Sequence, residues 1–230
     1  MRRKPKVPLA KPDRMVLKLT MQSEILSVDQ NTPSFIEVAR RAQIIDCAVA
    51  AIAELGFARA ALAQIAKRAR VSNGVILYYF GGKEELIRQV VAHVFSAGDA
   101  FIRPRISQTS ARSALRSFIE ATAAFIAAHP KHAVAVMNIV RAGRSESGAS
   151  WFDATVTQAR QTGLTQILQA GHATGEFRTF AIPVMVNTII EALDAIPPEL
   201  AADPALDCAA YGQELAELFD RATRNEPASQ

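Results

Sequence analysis

From residue 34 onward, apolar side chains return every three or four positions, and glycine or proline interrupts the pattern at short intervals. Ile45, Ala48, Ile52 and Leu55 show this spacing, which places them on one face of an α-helix. No stretch alternates apolar and polar residues as a half-buried strand would, and no internal repeat is found. The interrupted helical period therefore predicts an all-α fold of about nine helices.

Local signals predict where these helices begin and end. Ser34 and Glu37 have the spacing of a capping box, and Gly56 follows the first helix as a C-terminal cap. Ser72 is placed to cap a short third helix after a short second one at about residues 62–69, and Gly81-Gly82 ends it. The later helices are predicted from residue 83, then at residues 112–128, 131–141, 151–173, 183–195 and 207–223.

Basic residues are concentrated in the first part of the chain, although the formal net charge is only +4. Residues 1–90 hold 15 Lys and Arg against 8 Asp and Glu, and residues 91–230 hold 11 against 14. A basic N-terminal part joined to an acidic remainder is typical of a polyanion-binding module attached to a different domain. The excess is smaller, at 8 against 5, when only residues 34–90 are counted.

The composition predicts four segments. Residues 1–33 contain four prolines and scattered basic residues, so they are predicted to be a flexible basic extension, with a DNA-contacting arm as the alternative. A basic helical domain is predicted at residues 34–82, a longer helical domain at residues 83–224, and a tail at residues 225–230. The two cysteines lie far apart, and no apolar run is long enough to span a bilayer.

Two short helices, the second opened by Ser72, have the arrangement of a helix-turn-helix. Small residues at the start of the second helix would let it enter a DNA major groove. Asn73 could pair with adenine, and Val75 could pack on a thymine methyl group. The hydroxyl groups of Tyr78 and Tyr79 and the ammonium group of Lys83 are predicted to contact phosphate groups. As an alternative, Tyr79 could be half-buried with only its hydroxyl near DNA. The predicted DNA-binding residues are Arg70, Ser72, Asn73, Gly74, Val75, Leu77, Tyr78, Tyr79 and Lys83.

The segment GFARAALAQIAKRARVSNGVILYYFGGKEELI resembles the DNA-binding signature of the tetracycline-repressor (TetR) family of transcription regulators. The resemblance covers about residues 38–90 without a gap, and the rest of the chain resembles the family only in its helical character and length. The matching positions are Gly56, Phe57, Ile65, Ala66, Ala69, Val71, Ser72, Gly74, Ile76, Tyr79, Phe80, Lys83, Glu84 and Leu86.

Three departures from the family pattern concern the DNA-binding residues. Ala60-Ala61 stand where the family has a Thr/Ser pair, so a helix cap and a phosphate contact are missing. Arg70 replaces the glycine of the turn, which adds a cation but puts the tight turn in question. Leu77 replaces the first tyrosine of the recognition helix. We expect these changes to alter the operator preference and to leave the class unchanged.

The resemblance also implies a small-molecule pocket in the later helices and a homodimer formed by the last two. Ligand binding would change the separation of two recognition helices and so lower DNA affinity. The same helices could instead bury only their own core, and each pocket candidate could be ordinary core or surface. The pocket candidates are Phe118, Phe125, Met137, Asn138, Arg141, Trp151, Phe152, His172, Asn187 and Glu191. The dimer candidates are Val184, Ile189, Leu193, Tyr211, Leu215, Leu218 and Phe219.

Together these features predict a cytoplasmic, ligand-responsive repressor that binds a palindromic DNA operator as a homodimer, with an unknown small-molecule effector. No cofactor, metal or membrane partner is expected, because the four histidines have no metal-site spacing and no nucleotide or zinc-protease motif occurs. His129 and His132 flank a helix break and are expected to be exposed. The alternative is a helical small-molecule-binding protein or enzyme that retains an inactive helix-turn-helix.

Overall fold

A computed structural model describes residues 34–143 and 154–225, the second range with side chains from residue 161 onward. The predicted extension at residues 1–33, the pocket candidates Trp151 and Phe152, and residues 226–230 lie outside the described residues. Among the described residues, those up to Arg40 belong to one unit and those from Arg41 onward to another. The described part of the first unit contains the predicted capping box, since the Ser34 amide donates to Glu37 Oε2 at 2.7 Å and the Glu37 amide donates to Ser34 Oγ at 3.3 Å.

The described residues are helical almost throughout, and the only β feature among them is an isolated bridge between Phe177 and Arg224. The all-α prediction is therefore confirmed. The helices are α1 (Phe35–Leu55), α2 (Leu62–Ala69), α3 (Asn73–Phe80), α4 (Lys83–Ile102), α5 (Ala111–Ala128), α6 (Pro130–Ala142), α7 (Ala154–Thr174), α8 (Ile182–Asp194), α9 (Ile196–Ala202) and α10 (Cys208–Thr223), with a 3₁₀ turn at Arg103–Arg105.

Helix α9 is a short element that the sequence pattern did not separate from the loop after α8. The prolines at 197 and 198 were taken only as a stop signal, and α8 does end at Asp194. A proline in the first turn of a helix loses no hydrogen bond, because its missing N–H would have no partner there. The two prolines therefore end one helix and begin the next.

The first hydrophobic core joins α1–α4 and, unexpectedly, α6. Ile52, Ile65, Ile76 and Leu86 are fully buried in it, one from each of the first four helices. Burying side chains of this size stabilises the fold by about 1.5–3 kcal/mol each. The α6 residues in the same core are Ala135, Val136 and Ile139.

The second core is formed by α5 and α7–α10, with Ala133 of α6 at its edge. Ile119, Leu164, Ile189 and Phe219 are among its buried residues. Helices α5 and α10 pack closely here, because a Cβ atom added at Gly212 would lie 2.7 Å from Ala123 Cβ. Helix α5 thus belongs mainly to the second core, while the next helix, α6, enters the first.

A search of the described residues finds no individual helix with both the length and the apolar character to cross a membrane. Helices α5 and α6 pass that test only as a pair, and a bend of 100° separates them.

Candidate nucleic-acid interface

The turn between α2 and α3 has the backbone geometry of a glycine turn, although arginine occupies it. Arg70 has φ 55° and ψ 43°, and it is the only non-glycine residue with positive φ among those described. The Val71 amide donates to the Ala66 carbonyl at 3.0 Å and the Arg70 amide to the Lys67 carbonyl at 3.3 Å. These two bonds form a Schellman motif. The tight turn therefore forms with Arg70 in the left-handed conformation.

Helix α3 is held between a serine cap and a glycine cap. Ser72 Oγ accepts a hydrogen bond from the Val75 amide at 3.3 Å, as its position predicts. At the other end, Gly81 has φ 69° and its amide donates to the Leu77 carbonyl at 2.7 Å. Ile76 and Phe80 fix the inner face, being 0% and 3% exposed. The other side chains of α3 are half-exposed or exposed.

The outer face of α3 carries most of the predicted DNA-binding residues. Tyr78 is 75% exposed and Leu77 is 47% exposed, which is unusual for side chains of their size. Ser72, Asn73 and Gly74 are exposed at the start of the helix. A Cβ atom at position 74 would meet only Ser72 Oγ, at an ordinary 3.6 Å, so packing within the described residues does not require glycine there.

Three predicted DNA-binding residues are only half exposed: Val75, Tyr79 and Lys83. The Tyr79 ring lies 5.1 Å from the Tyr78 ring in an edge-to-face arrangement, and the Arg41 guanidinium lies 5.8 Å from it. Lys83 Nζ lies 4.8 Å from the centre of the Phe57 ring. Because Lys83 is the first residue of α4, its ammonium group stands beside free helix amides that favour anions.

The positive charge around α2 is only partly neutralised within the chain. Arg68 pairs with Glu54, and Arg59 donates to the Leu55 carbonyl at 2.8 Å. Lys67 and Arg70 are exposed and form no ion pair with another described residue. Exposed cations beside a narrow helix N-terminus are the arrangement that attracts a phosphate backbone.

Helix α6 contacts α1 through two polar side chains. The sequence analysis assigned one of them to a ligand pocket and gave the other no role. Asn138, predicted to contact ligand, donates from Nδ2 to the Ile52 carbonyl at 3.0 Å. Lys131 Nζ lies 3.0 Å from Glu54 Oε1, while the other Glu54 oxygen pairs with Arg68 of α2. Hydrogen bonds from Arg68, and then from Lys131, lower the pKa of Glu54 to about 2. Glu54 thus connects α6 to the helix-turn-helix.

The pocket candidates lie in different surroundings. Phe125 is nearly buried, with its ring 4.9 Å from that of His129 and 5.7 Å from that of Phe101. His172 packs 4.4 Å from the Phe180 ring, and its Nε2 is buried without a hydrogen-bond partner among the described residues. Phe101 and Phe180 were not among the predicted pocket residues. Of the remaining described candidates, Phe118 and Met137 are half-buried, whereas Arg141, Asn187 and Glu191 are exposed.

The dimer candidates divide into buried and exposed residues. Ile189, Leu193 and Phe219 are at most 3% exposed in the second core. This is what the alternative predicts, in which these helices bury only the core of their own chain. Val184 and Leu218 are 64% and 58% exposed. Tyr211 and Leu215 are half-buried at the edge of that core.

The described residues include no group of three or more His, Cys, Asp or Glu side chains arranged to hold a metal ion.

Comparison with known proteins places the helix-turn-helix in a family. The family model "Bacterial regulatory proteins, tetR family" matches residues 44–90. The HTH-type transcriptional regulator BetI 1 of Chromohalobacter salexigens is 40% identical over 83 residues, which cover 35% of this chain and 41% of that protein. The match therefore spans less than half the length of this relative.

Two solved structures share the fold over most of their length. The fatty acid degradation regulator FadR from Bacillus halodurans is 25% identical with a TM-score of 0.69, and the match covers 78% of this chain and 97% of that one. FadR from Bacillus subtilis, solved in complex with stearoyl-CoA, is 22% identical with a TM-score of 0.64, covering 77% and 96%. The second likeness concerns the fold alone. Residues 44–90 therefore match the tetR family of bacterial regulatory proteins, and the fold of the chain is similar to that of solved transcription regulators.

Proposed function

We propose that the chain is a ligand-responsive repressor that binds a palindromic DNA operator as a homodimer. In this proposal residues 34–82 bind DNA, and residues 83–224 bind the effector and form the dimer. The observation that carries it is the outer face of α3, where Asn73, Leu77 and Tyr78 are exposed beside a serine-capped helix start. A bacterial operator would place the protein in the cytoplasm.

Each exposed residue has a distinct role at the DNA. Asn73, with both an amide donor and a carbonyl acceptor, would read adenine in the major groove. Tyr78 and Tyr79 would donate their hydroxyl groups to phosphate, and Arg70 and Lys83 would add charge. Phosphate contacts fix position, whereas the base contact supplies sequence preference. Variants at the two kinds of residue should therefore differ in effect.

A gel-shift titration with DNA from upstream of the protein's own gene tests this part. We expect Tyr78→Ala to weaken binding similarly on all sequences, and Asn73→Ala to cost about 1–3 kcal/mol mainly on the preferred one. Gln169→Ala, an exposed change on α7, is the matched control and should bind like the parent. Failure of the parent to bind any such fragment at low salt would exclude the proposal.

The exposed apolar residues of α8 and α10 support the dimer. Val184 and Leu218 leave apolar surface in contact with water unless a partner covers it. A two-fold pair would place two recognition helices roughly 34–36 Å apart, one turn of DNA. We expect Leu218→Glu to lower the mass measured by light scattering, and Gln169→Glu to leave it unchanged. A parent that is monomeric at all concentrations would contradict this part.

The proposed effector is a small molecule with a large apolar part. Support comes from the Phe125, Phe101 and His129 rings near the α5–α6 bend and from the buried Nε2 of His172. Because one structural neighbour was solved with stearoyl-CoA, that compound is a reasonable first probe. Release of bound DNA by stearoyl-CoA, but not by coenzyme A alone, would support an acyl thioester effector.

A further inference from the structure

Three of the four histidines in the chain meet at one place, although they are far apart in sequence. His93 belongs to α4, His129 immediately precedes α6, and His132 lies in the first turn of α6. The His132 ring is 5.8 Å from that of His93 and 5.4 Å from that of His129. We call these three residues the histidine cluster. His129 and His132 were expected to be exposed, but both are half-buried, because the α5–α6 bend folds them against α4.

The charged groups around the histidine cluster come from several elements. Asp46 of α1 faces it, with Oδ1 3.6 Å from His93 Nε2. From α5 the contact is Phe125, which is uncharged, and His129 also meets Phe101 of α4. The Arg105 guanidinium lies on the Phe101 ring at 3.7 Å. Lys131, the residue before His132, pairs with Glu54 instead. Among the described residues, the carboxylate that acts on the cluster is therefore Asp46, which lies near His93 and affects His132.

The surroundings of His132 disfavour its charged form. Burial lowers the pKa of His132, the positive charges that His129 and His93 can carry lower it further, and Asp46 acts in the opposite direction. Metal binding is a different use of clustered histidines, but the described residues contain no group arranged for it. Proton binding is the chemistry that remains open to closely packed imidazoles between pH 5 and 8.

We propose that the histidine cluster makes the junction between α6 and the DNA-binding helices proton-sensitive, so that acidification loosens α6 from α1 and α4 and lowers DNA affinity. When neutral, the rings pack edge to face and in a stack. When two or three are protonated, like charges lie less than 6 Å apart and Asp46 can compensate only one. The strain falls on the first turn of α6.

Movement of that turn would reach the helix-turn-helix through contacts already in place. Asn138 holds the Ile52 carbonyl, and Lys131 holds Glu54, which in turn pairs with Arg68 of α2. Loss of these contacts would leave α1 and α2 less firmly positioned for DNA. The DNA part of the inference rests on the proposed function, whereas the effect on stability does not.

The sign of the stability effect follows from the lowered pKa. A histidine whose pKa is lower in the folded state contributes fully to stability above its unfolded pKa of about 6.5. As the pH falls below that value, the unfolded chain binds the proton first and stability decreases. We therefore expect the melting temperature to decrease from pH 7.5 to pH 5.5.

Thermal melts across this pH range test the cluster without DNA. His132→Gln should lose most of the decrease, and His93→Gln should lose part of it. Gln169→Ala, an exposed change on α7 away from the histidine cluster, is the control and should keep the parent's decrease. Equal decreases in the parent and in both histidine variants would overturn the proposal. NMR titration of the His132 imidazole Cε1–H signal checks that its pKa lies below the ordinary value.

DNA affinity between pH 5.5 and 7.0 tests the coupling. Residues 34–82 contain no histidine, so no imidazole of the predicted DNA-binding domain titrates in this window. Added positive charge alone would tighten binding to DNA. DNA binding that is weaker at pH 5.5 by at least about threefold would therefore point to a loosened junction. The His132→Gln variant should not show this weakening. Tighter binding at pH 5.5 would overturn the coupling. Absence of DNA binding at every pH would refute the proposed function, leaving the melts to decide on the cluster.

Discussion

Replacement of Arg70 by glycine and by alanine separates its conformation from its charge. Arg70 is in the left-handed region, at φ 55° and ψ 43°. That conformation costs a side-chain-bearing residue about 1–2 kcal/mol. Glycine avoids this cost but loses about 0.4–1 kcal/mol through the greater freedom of the unfolded chain. We therefore expect Arg70→Gly to be more stable than Arg70→Ala by roughly 0.5–1 kcal/mol.

This order is the reverse of the usual one, in which alanine is the more stabilising residue. Urea unfolding of the two variants measures it, because neither retains the guanidinium and any effect of charge cancels. An Arg70→Ala variant as stable as Arg70→Gly would refute the argument from backbone strain. It would mean that the turn relaxes out of the left-handed region in solution.

The same two variants measure the charge at the DNA. If Arg70 contacts a phosphate, both should weaken DNA binding on every sequence and reduce the slope of log affinity against log salt by about 1. Arg70→Lys, which keeps the charge, should retain the parent's slope. An unchanged slope in the glycine and alanine variants would show that Arg70 does not lie on the DNA backbone.

Three further changes test particular contacts. Gly212→Ala should destabilise the protein by about 1–2 kcal/mol, because the new Cβ would lie 2.7 Å from Ala123 Cβ. Adding Ala123→Gly to this variant should relieve the clash. Calorimetry that shows no loss of stability in Gly212→Ala would contradict the α5–α10 packing. Ala61→Ser should add about 1 kcal/mol, because position 61 has cap geometry without a side-chain acceptor, and equal urea midpoints would contradict it. Glu54→Gln should reduce the loss of stability that the parent shows from pH 4.5 towards pH 2, because a lowered carboxyl pKa stabilises the folded state only above that range. Identical acid titrations of the variant and the parent would count against the bridge.

Helix ends were predictable from the sequence because their signals are local. Ser34 and Ser72 cap the helices that they were expected to cap, and Gly56 and Gly81 have the positive φ of C-terminal caps. Each of these features depends on residues within one turn of the chain. The consequence of Arg70 was left open, because sequence alone does not show whether an arginine accepts a left-handed turn or deforms it.

Packing between distant helices was less predictable. The apolar face of α8 and α10 has the same period whether it meets its own core or a second chain, so Ile189, Leu193 and Phe219 were assigned to a dimer. The structure buries them in the second core. Asn138 was assigned to a pocket for a similar reason, because nothing nearby in sequence shows that its amide reaches the Ile52 carbonyl.

In the proposed function, the position of α6 gives a physical reason why effector binding would change DNA binding. Helix α5 packs mainly in the second core, whereas Ala135, Val136 and Ile139 of α6 pack in the first, with α1–α4. Only the 100° bend at His129-Pro130 separates them. Densely packed cores shift between discrete arrangements and do not deform continuously. A displacement of α5 by a ligand must therefore be absorbed at this bend or passed to α6. The polar contacts of Asn138 and Lys131 with α1 favour the second outcome, which makes the bend the place where effector and DNA binding would be coupled.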